Sequence, residues 1–319
     1  MPNKEVVLGL DTSCYTTSVA LMDLTGSLVA DARRLLTVKP GHRGLAQSEM
    51  VFQHTRNLPD LVEQLDLTGL TVRAIGVSAK PRPREDSYMP AFLTGLGMAR
   101  SLGKLLRVPV HRFTHQHNHM YAGLWSVGRE APDRFLLVHI SGGTTDFLLC
   151  EKQSDGRFTL TPRGTSIDLH AGQFIDRVGV ALGLSFPCGP HLEQLAQEAA
   201  EPYPLKVWTD NAQLSLSGPC SQALRAVEQG VDPASLALGV ERAISRGLSR
   251  TLFYVCRQEK LQQVLLAGGV SANGELRRQI GEYLQKRQIE LWAPDPKYSV
   301  DGAVGNAWAT VLAERQAGV

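Results

Sequence analysis

Four of the nine histidines lie in one stretch, VPVHRFTHQHNHMYAG, and they are His111, His115, His117 and His119. If a helix begins near Thr114, His115 and His119 share one helical face at spacing i, i+4, which suits two ligands of one metal ion. His111 and His115 are also four apart, but a bend from strand to helix would separate that pair. A run this dense rarely serves packing, so it predicts a metal site; the alternative is a polar helix face.

A carboxylate would complete a three-residue metal site that stays open to a substrate. Asp301 is the candidate, because it lies in KYSVDGAVGNAWATVLAE, where a turn leads into the last predicted helix. The alternative role for Asp301 is to cap that helix. Two imidazoles and one carboxylate suit a first-row cation such as iron or zinc better than magnesium, which prefers oxygen ligands throughout.

Two stretches far apart in the chain share one pattern: an apolar strand, a bend rich in Gly, Ser or Thr, and a second apolar strand. The first is LGLDTSCYTTSVALMDLTG, residues 8–26, and the second is FLLVHISGGTTDFLLCEKQSDG, residues 135–156. Because each hairpin would open its own sheet, the repeat indicates a duplicated domain. The acid and hydroxyls after the first strand predict an anion-binding bend, with an ordinary polar hairpin loop as the alternative.

The second hairpin bends at ISGGTT, a sequence suited to holding a phosphate group. Gly142 and Gly143 allow the backbone to approach an anion closely. The hydroxyls of Ser141, Thr144 and Thr145 offer further hydrogen-bond donors. The alternative is an ordinary glycine hairpin.

A third stretch, LLAGGVSANGEL, places Gly268 and Gly269 after a strand and Asn273 at the start of a helix. A helix start of this kind can hold a nucleotide, although a simple β–α turn with an Asn cap fits the same pattern. Strand and helix patterns alternate through the rest of the chain, from AIGVSA and MPAFLTGLGMARSLGKLL to LALGVERAISRGLSRTLFYVCRQ. This alternation predicts an α/β architecture, formed twice.

At 319 residues the chain is long enough for two domains, and its composition, 43% hydrophobic and 20% charged, is typical of a globular protein. An apolar run of about 18 residues is lacking, so no membrane span is expected, and the start MPNKEVVLGLD has no signal-peptide pattern. The five cysteines form no CxxC pair, which argues against structural zinc and favours a reducing cytoplasm. The net charge of +2 permits an RNA partner without requiring one.

Taken together, these stretches resemble the TsaD-type tRNA threonylcarbamoyl transferases, a family formerly called O-sialoglycoprotein endopeptidases. The resemblance covers almost the full length and includes, in the family's order, LDTSCYTTSVAL, VPVHRFTHQHNH, ISGGTTDF, AGQFIDRVGVALGLSFPCGPHLEQLA, GGVSANGELRR and PKYSVDGA. It implies the duplicated, two-lobed α/β fold of actin, sugar kinases and Hsp70 (the ASKHA fold), with a nucleotide cleft between the lobes. It also implies a cytoplasmic enzyme that transfers a threonylcarbamoyl group from threonylcarbamoyl-AMP to a tRNA adenine beside the anticodon.

The resemblance also implies roles for individual residues. The family's metal ligands fall on His115, His119 and Asp301, which favours His119 over His111 as the second histidine. Its nucleotide contacts fall on Ile140, Ser141, Gly142, Gly143, Thr144, Asp176, Gly189, Glu193 and Asn273. The carboxylates of Asp176 and Glu193 suit ribose or amine recognition, with helix-surface charge as the alternative. The implied ligands are one divalent first-row metal ion, iron favoured over zinc, and an adenine nucleotide: threonylcarbamoyl-AMP, AMP or ATP.

The chain departs from the family pattern near the transferred group. The family has ETSCDET where this chain has DTSCYTT, so Tyr15 replaces an acid, and a phenol with an ordinary pKa of about 10 is a poor base at neutral pH. Thr144 replaces a family histidine. The catalytic residue is therefore left unassigned, and Asp11 is a candidate. The loop KPRPREDSYMP replaces a glycine-rich segment, and its basic residues predict contacts to RNA phosphates at the rim of the cleft.

These departures leave two alternatives to tRNA modification: a metal-dependent carbamoyl-type transferase with another acceptor, and a nucleotide-binding partner subunit without turnover. Peptidase activity has no support, because no HExxH motif occurs. The expected partners are tRNA and the other subunits of a tRNA-modification complex, with no membrane. The expected lobes are residues 1–121, completed by a helix over 302–319, and residues 122–301.

Overall fold

A computed structural model describes residues 3–38 and 44–318. Its strands are β1 Lys4–Asp11, β2 Thr16–Asp23, β3 Leu28–Leu35, β4 Leu70–Lys80, β5 Val110–Thr114, β6 Arg134–Ile140, β7 Thr145–Lys152, β8 Phe158–Ser166, β9 Trp208–Asp210, β10 Gln213–Ser215, β11 Gln263–Ala267 and β12 Glu290–Trp292. Its α-helices are α1 Gln47–Glu63, α2 Phe92–Leu106, α3 His115–Val127, α4 Ala171–Ala181, α5 Gly189–Ala196, α6 Ser217–Glu228, α7 Pro233–Glu259, α8 Gly274–Gln285, α9 Pro296–Ser299 and α10 Val304–Ala317. A 3₁₀ turn covers Gly269–Ala272.

The first sheet has the strand order β3-β2-β1-β4-β5. The meander β1–β2–β3 is antiparallel, and β4 and β5 join β1 in parallel. The inner strands β1 and β2 are buried over nearly their whole length, because both faces of the sheet are covered. The carboxyl ends of β1, β4 and β5 therefore lie side by side, so the segments that follow them meet at one edge of the sheet.

The second sheet has the strand order β12-β11-β6-β7-β8-β10-β9. It also opens with an antiparallel meander, β6–β7–β8, and β11 pairs in parallel with both β6 and β12. The two hairpins predicted from the sequence thus open separate sheets, which confirms that part of the repeat argument. Because β6 and β11 are parallel neighbours, the ISGG bend and the AGG turn follow strand ends that lie next to each other.

The chain divides into two compact units. One contains residues 3–37, Gly44–Glu130 and the segment from Asp301 onward, and the other contains Ala131–Val300. The predicted boundary after residue 121 falls inside α3, a continuous helix, so the first unit runs on to Glu130. Asp301, expected in the second lobe, groups with the first unit instead. The predicted last helix begins later, at Val304, and its predicted end at residue 319 lies outside the described residues.

Helix α10 packs very closely against the first sheet. A Cβ atom at Gly9 of β1 would collide with the carbonyl oxygen of Ala303, and one at Gly76 of β4 would collide with Asn306 and Thr310. The two glycines therefore allow the helix to approach the backbone of both strands, which a larger side chain would prevent. This approach fixes the position of the turn that precedes α10.

The second unit has a large core between its sheet and its helices. The long helix α7 contributes the largest share of buried residues of any helix in that unit, including Leu236, Val240, Ile244 and Leu248. None of the helices formed by residues 3–38 and 44–318 combines the length and the apolar character that crossing a lipid bilayer requires.

Candidate metal centre and nucleotide site

Helix α3 begins where the sequence predicts, with Thr114 as its N-cap. The Thr114 side chain accepts a hydrogen bond from the backbone N–H of His117, which satisfies one of the free donors of the first turn. His115 and His119 then occupy the first two turns of one helical face, and both are buried. Asp301 lies in the turn that precedes α10, within the same unit.

The three predicted ligands converge. The Nε2 atoms of His115 and His119 are 3.2 Å apart, and the Asp301 Oδ1 atom lies 3.1 Å from His119 Nε2 and 3.6 Å from His115 Nε2. Two ligand atoms that are each about 2.1 Å from one ion, at a tetrahedral angle, are about 3.4 Å apart. The donor set and its spacing therefore fit a first-row cation.

The protonation states at this cluster suit metal binding as well. Burial and the neighbouring imidazole of His119 lower the pKa of His115 to about 3, so its ring is neutral at physiological pH. Burial opposes ionisation of Asp301, but its hydrogen bond with His119 and its electrostatic interaction with both histidines lower its pKa below the ordinary value. Neutral imidazoles and an ionised carboxylate are the forms that bind metals.

The two other histidines of the stretch are engaged elsewhere. His111 Nε2 lies 2.8 Å from Glu314 Oε1 of α10, and His117 Nδ1 lies 2.6 Å from the hydroxyl of Thr114. The structure therefore does not form the alternative pair of His111 with His115. The bend between β5 and α3 separates those two side chains, as the strand-to-helix transition predicts.

Asn118 holds the metal candidates together, and the sequence did not reveal this role. Its amide nitrogen donates to the carbonyl oxygen of Gly302, and its Oδ1 atom accepts from the backbone N–H of Asn306, both at 2.8 Å. Asn306 in turn donates to the carbonyl oxygen of Leu10. The turn that carries Asp301 is thus tied to the helix that carries both histidines. Asn118 stands in the motif HQHNH, but the residues that it bonds lie far along the chain, so the sequence alone does not show its partners.

The hydroxyl-rich bend after β1 is an internal turn, so its predicted anion-binding role is wrong for the hydroxyls. Thr12 donates to the carbonyl oxygen of Ala91 and accepts from the N–H of Gly95, and Thr17 bonds the ring of His54. All five hydroxyl side chains of the bend are buried: Thr12, Ser13, Thr16, Thr17 and Ser18. Thr12 and Thr17 bond neighbouring elements of their own unit, Ser13 donates to Asp11 within the bend, and none of the five faces solvent.

Asp11 and Tyr15, at the two ends of this bend, both relate to Asp301. Burial and the charge of Asp301 raise the pKa of Asp11 to about 8, although Ser13 donates to its carboxylate from 2.6 Å. The backbone N–H of Tyr15 donates to the Asp301 carboxylate, while the Tyr15 ring packs with Leu36 and other apolar side chains. The Tyr15 backbone therefore contacts one of the three metal candidates.

The loop between β4 and α2 follows a strand end at the same edge of the first sheet. Lys80 Nζ donates to the carbonyl oxygen of Arg84, and Arg84 forms an ion pair with Asp86 at 2.8 Å. The backbone N–H of Gln116 in α3 donates to the carbonyl oxygen of Pro81 at 3.4 Å. The loop is thus folded on itself and touches the helix that carries His115.

In the second unit the ISGGTT bend is tightly closed. The backbone N–H of Ser141 donates to the carbonyl oxygen of Thr144 at 2.8 Å, and the Thr145 hydroxyl bridges Thr144 and the N–H of Ala171. Thr145 is therefore not available to a ligand. Gly142 and Gly143 are exposed, and a Cβ atom at either would meet nothing within 4 Å. The bend leaves open space over the two glycines, as a phosphate site requires.

The first turn of helix α4 packs against this bend. The N–H of Gly172 donates to the carbonyl oxygen of Ser141, and a Cβ atom on Gly172 would lie only 2.7 Å from Gly142. Farther along α4, Asp176 accepts a hydrogen bond from the N–H of Cys188 at 2.9 Å, just before Gly189 begins α5. Burial raises the pKa of Asp176. Asp176 thus connects α4 to the segment that carries Gly189 and Glu193.

The turn after β11 faces the same strand ends. Gly268 has φ +91°, and a Cβ atom there would collide with the carbonyl oxygen of Ile140, so this close approach of the two turns requires glycine. Asn273 caps α8 by accepting from the N–H of Leu276, as predicted. Glu193 Oε1 accepts from the N–H of Gly274 at 2.7 Å, which brings the α5 carboxylate to the start of α8.

Glu241 is a member of this cluster that sequence reasoning missed. It lies in the middle of α7, is 1% exposed, and accepts a hydrogen bond from the Asn273 amide. Burial, together with the charges of Glu193 and Glu275, raises its pKa to about 7. The pattern of α7 marks the position as buried, but nothing in the sequence names its partner. Hydrogen bonds therefore connect the elements that carry the predicted nucleotide contacts of this unit: the Ser141 bend bonds α4, α4 bonds the start of α5, and α5 bonds the start of α8.

The sequence profile of the TsaD family, described as tRNA N6-adenosine threonylcarbamoyltransferase, matches residues 44–308. The chain belongs to this family. A Thermus thermophilus tRNA N6-adenosine threonylcarbamoyltransferase is 33% identical over 302 residues, which is 92% of this chain and 88% of that protein. A probable bifunctional tRNA threonylcarbamoyladenosine biosynthesis protein from Methanothermobacter thermautotrophicus is 29% identical over 98% of this chain. The chain spans 56% of the length of that relative.

Solved structures agree on the fold of this TsaD-family chain. A ROK family glucokinase from Streptomyces griseus, in complex with glucose and AMPPNP, superposes with a TM-score of 0.53. It is 13% identical, over 95% of this chain and 98% of the glucokinase. At this identity the likeness concerns the fold alone. The fold is therefore the α/β fold with two mixed sheets that sugar kinases and actin-like proteins share, as the resemblance implied.

Proposed function

We propose that this TsaD-family chain transfers a threonylcarbamoyl group from threonylcarbamoyl-AMP to a tRNA adenine beside the anticodon. The observation that carries the proposal is the convergence of His115, His119 and Asp301, whose three ligand atoms lie within 3.6 Å of one another. A chain that only bound a nucleotide would have little need of two buried imidazoles beside a carboxylate. The proposal includes tRNA and other subunits of a tRNA-modification complex as partners, with cytoplasmic action.

In this proposal His115, His119 and Asp301 would hold one divalent first-row ion, with iron favoured over zinc. The ion would polarise a carbonyl oxygen as a Lewis acid. Asn118 keeps the Asp301 turn and the two histidines in register, because it bonds Gly302 in that turn and Asn306 in the helix that follows. The proton of the attacking amine needs an acceptor, and Asp11, a buried carboxylate whose charge interacts with that of Asp301, is our candidate.

The nucleotide would bind in the second unit. The open space over Gly142 and Gly143 would take a phosphate group, and the backbone N–H of Gly142 and the hydroxyl of Thr144 are available donors, since neither is used within the described residues. Asp176, Gly189, Glu193 and Asn273 would contact the nucleoside. We assign Asp176 and Glu193 to polar recognition of ribose or amine groups.

A second candidate function is a carbamoyl-type transfer to a different acceptor, and Tyr15 favours it. The family has an acid at this position, whereas the Tyr15 ring here packs in an apolar cluster with Leu36, Met50 and Ala91. A position whose backbone contacts Asp301 thus lacks the family's acid, which is consistent with a change of acceptor. The metal and nucleotide sites would be shared between the two functions.

The deciding experiment incubates the full chain with threonylcarbamoyl-AMP and unmodified tRNA, with and without added Fe²⁺ or Zn²⁺, followed by nucleoside analysis of the digested tRNA. The proposal requires threonylcarbamoyl-adenosine in the digest, and its loss in His119→Ala but not in His117→Ala. The assay is repeated with the partner subunits present. If AMP is released while the tRNA stays unmodified under every condition, the second candidate replaces the first.

A further inference from the structure

A basic groove lies on the first unit, away from the predicted metal ligands. It has a volume of about 1070 Å³ and runs between the second half of α2 and β5. Four cationic side chains line it: Arg100, Lys104, Arg107 and Arg112. The remaining lining residues are Gly97, Ser101, Gly103, Leu105, Val108 and Val110.

The local fold explains why these cations share one groove. Gly103 lies against Val110, so that α2 and β5 approach closely. Arg107 ends α2 in the left-handed conformation, with φ +58°, and its N–H donates to the carbonyl oxygen of Gly103. The chain therefore reverses sharply from the helix into the strand. Arg100 and Lys104 are one helical turn apart, about 6 Å, and Arg112 faces them from the edge strand.

The four cations have no counter-charge among the residues that the structure describes. In the part of the chain that the structure describes, none of them forms an ion pair or a side-chain hydrogen bond, and no carboxylate lines the groove. Elsewhere in the same unit Arg34 pairs with Asp60 and Arg84 pairs with Asp86. The partial negative charge at the carboxyl end of α2 attracts Lys104 and Arg107. It does not account for the positions of Arg100 and Arg112.

We propose that the basic groove binds the phosphodiester backbone of an RNA. The choice of RNA rests on the proposed function. An enzyme that acts on tRNA needs a cationic surface that binds the phosphate backbone whatever the base sequence. Leu105 is the one strongly exposed apolar side chain among the lining residues, too little to anchor a protein helix. Solvated arginines and a lysine suit phosphate oxygens, which need no deep burial.

The position of the groove predicts what kind of effect it has. Its residues on β5, Val110 and Arg112, come before His115 by about 16 and about 10 Å of strand rise. RNA held there contacts the protein away from the reacting base. The groove therefore sets the affinity for RNA and leaves the chemical step unchanged.

The test compares Arg100→Gln/Arg112→Gln with a matched control, Arg157→Gln, an exposed arginine of the other unit. Affinity for an unmodified tRNA transcript is measured by fluorescence anisotropy from 50 to 200 mM KCl, and folding is checked by urea denaturation. The double variant is expected to bind about tenfold more weakly at 100 mM salt. Its slope of log K against log salt should fall by about 1.5, since each lost phosphate contact removes about 0.7–0.9. The control should bind as the wild type does.

The proposal is overturned if the double variant keeps the RNA affinity and the salt slope of the wild type. It is also overturned if the wild type binds no RNA. A double variant that keeps its RNA affinity but no longer captures an acidic partner protein would assign the groove to protein docking, which also overturns the proposal. The transferase assay separates the two ideas. If the double variant modifies tRNA with a raised KM and an unchanged kcat, both stand. If no modified nucleoside forms while RNA affinity still depends on the groove, only the proposed function falls.

Discussion

The Asn273 amide donates a hydrogen bond to the carboxylate of Glu241, which is buried in the middle of α7. The bond fixes the amide orientation of Asn273, whose oxygen caps α8 at the same time. A residue predicted to contact a nucleotide is therefore held by an acid whose pKa is raised to about 7 by burial and by the charges of Glu193 and Glu275.

Replacing Glu241 by Gln should change how stability depends on pH. Because the folded pKa of Glu241, about 7, exceeds its ordinary value of 4.5, its contribution is fully present below pH 4.5 and is lost as the pH rises through 7. Gln cannot ionise and keeps an acceptor oxygen for Asn273. From pH 5 to pH 8 the variant should gain stability relative to wild type, on the order of 3 kcal/mol, by urea denaturation. The exposed Glu228→Gln serves as control, and parallel curves for Glu241→Gln and wild type would contradict the account.

Removing one predicted metal ligand should abolish metal binding. Purified wild type is expected to carry, or to take up on addition, about one first-row ion per chain, whereas His119→Ala should not. His117→Ala is the matched control, because His117 lies on the same helix but bonds Thr114 instead. The measurement is metal analysis after gel filtration. A wild type that stays metal-free after Fe²⁺ and Zn²⁺ addition would remove the main support for catalysis.

Asn118→Ala should weaken both the fold and the metal centre. The substitution leaves the carbonyl oxygen of Gly302 and the N–H of Asn306 without their buried partner, at a cost of about 1–3 kcal/mol. Because the Asp301 turn then loses its tie to α3, metal affinity should fall by roughly 10–100-fold. Denaturation and metal titration measure the two effects. Full metal affinity in a destabilised variant would limit Asn118 to a packing role.

Two neighbouring glycines of the second unit should respond differently to the same change. Gly172→Ala places a Cβ atom 2.7 Å from Gly142 and should destabilise the fold by about 1–3 kcal/mol. Gly142→Ala places its Cβ atom in open space, so stability should stay within about 0.5 kcal/mol while ATP or AMP affinity falls about tenfold. Calorimetry measures both. Undiminished nucleotide binding in Gly142→Ala would mean that the phosphate lies elsewhere.

The loop before α2 gives a prediction about the acceptor. Alanine at Lys80, Arg82 and Arg84 should lower tRNA affinity and reduce its salt dependence. These are the basic side chains of the loop, and the loop contacts the start of α3 through Pro81. Arg84 must leave Asp86 to contact a phosphate, so Asp86→Asn alone should raise tRNA affinity slightly. Equal binding by the triple variant and the wild type would show that the loop does not contact RNA.

Local patterns predicted the parts of the site that depend on neighbouring residues. The i, i+4 spacing of His115 and His119 needs only a helix start at Thr114, and the Asn273 cap needs only the strand before it. The partners of Asn118 and Glu241 were beyond such reasoning, because they come from segments distant in the sequence. The hydroxyls of the first bend were misassigned for a related reason. Thr12 looks available to an anion until the Ala91 carbonyl, contributed by another element, is brought beside it.

The first unit is completed by residues that follow the whole of the second. Gly9 and Gly76 are covered by α10, and His119 meets Asp301 only when that segment is present. During synthesis on the ribosome, the first sheet and both histidines emerge long before their covering helix and their carboxylate. The nascent first unit must therefore wait, with an apolar sheet face uncovered, while residues 131–300 are made. Folding of the second unit can precede completion of the first, and the three proposed metal ligands are all present only after Asp301 has been made.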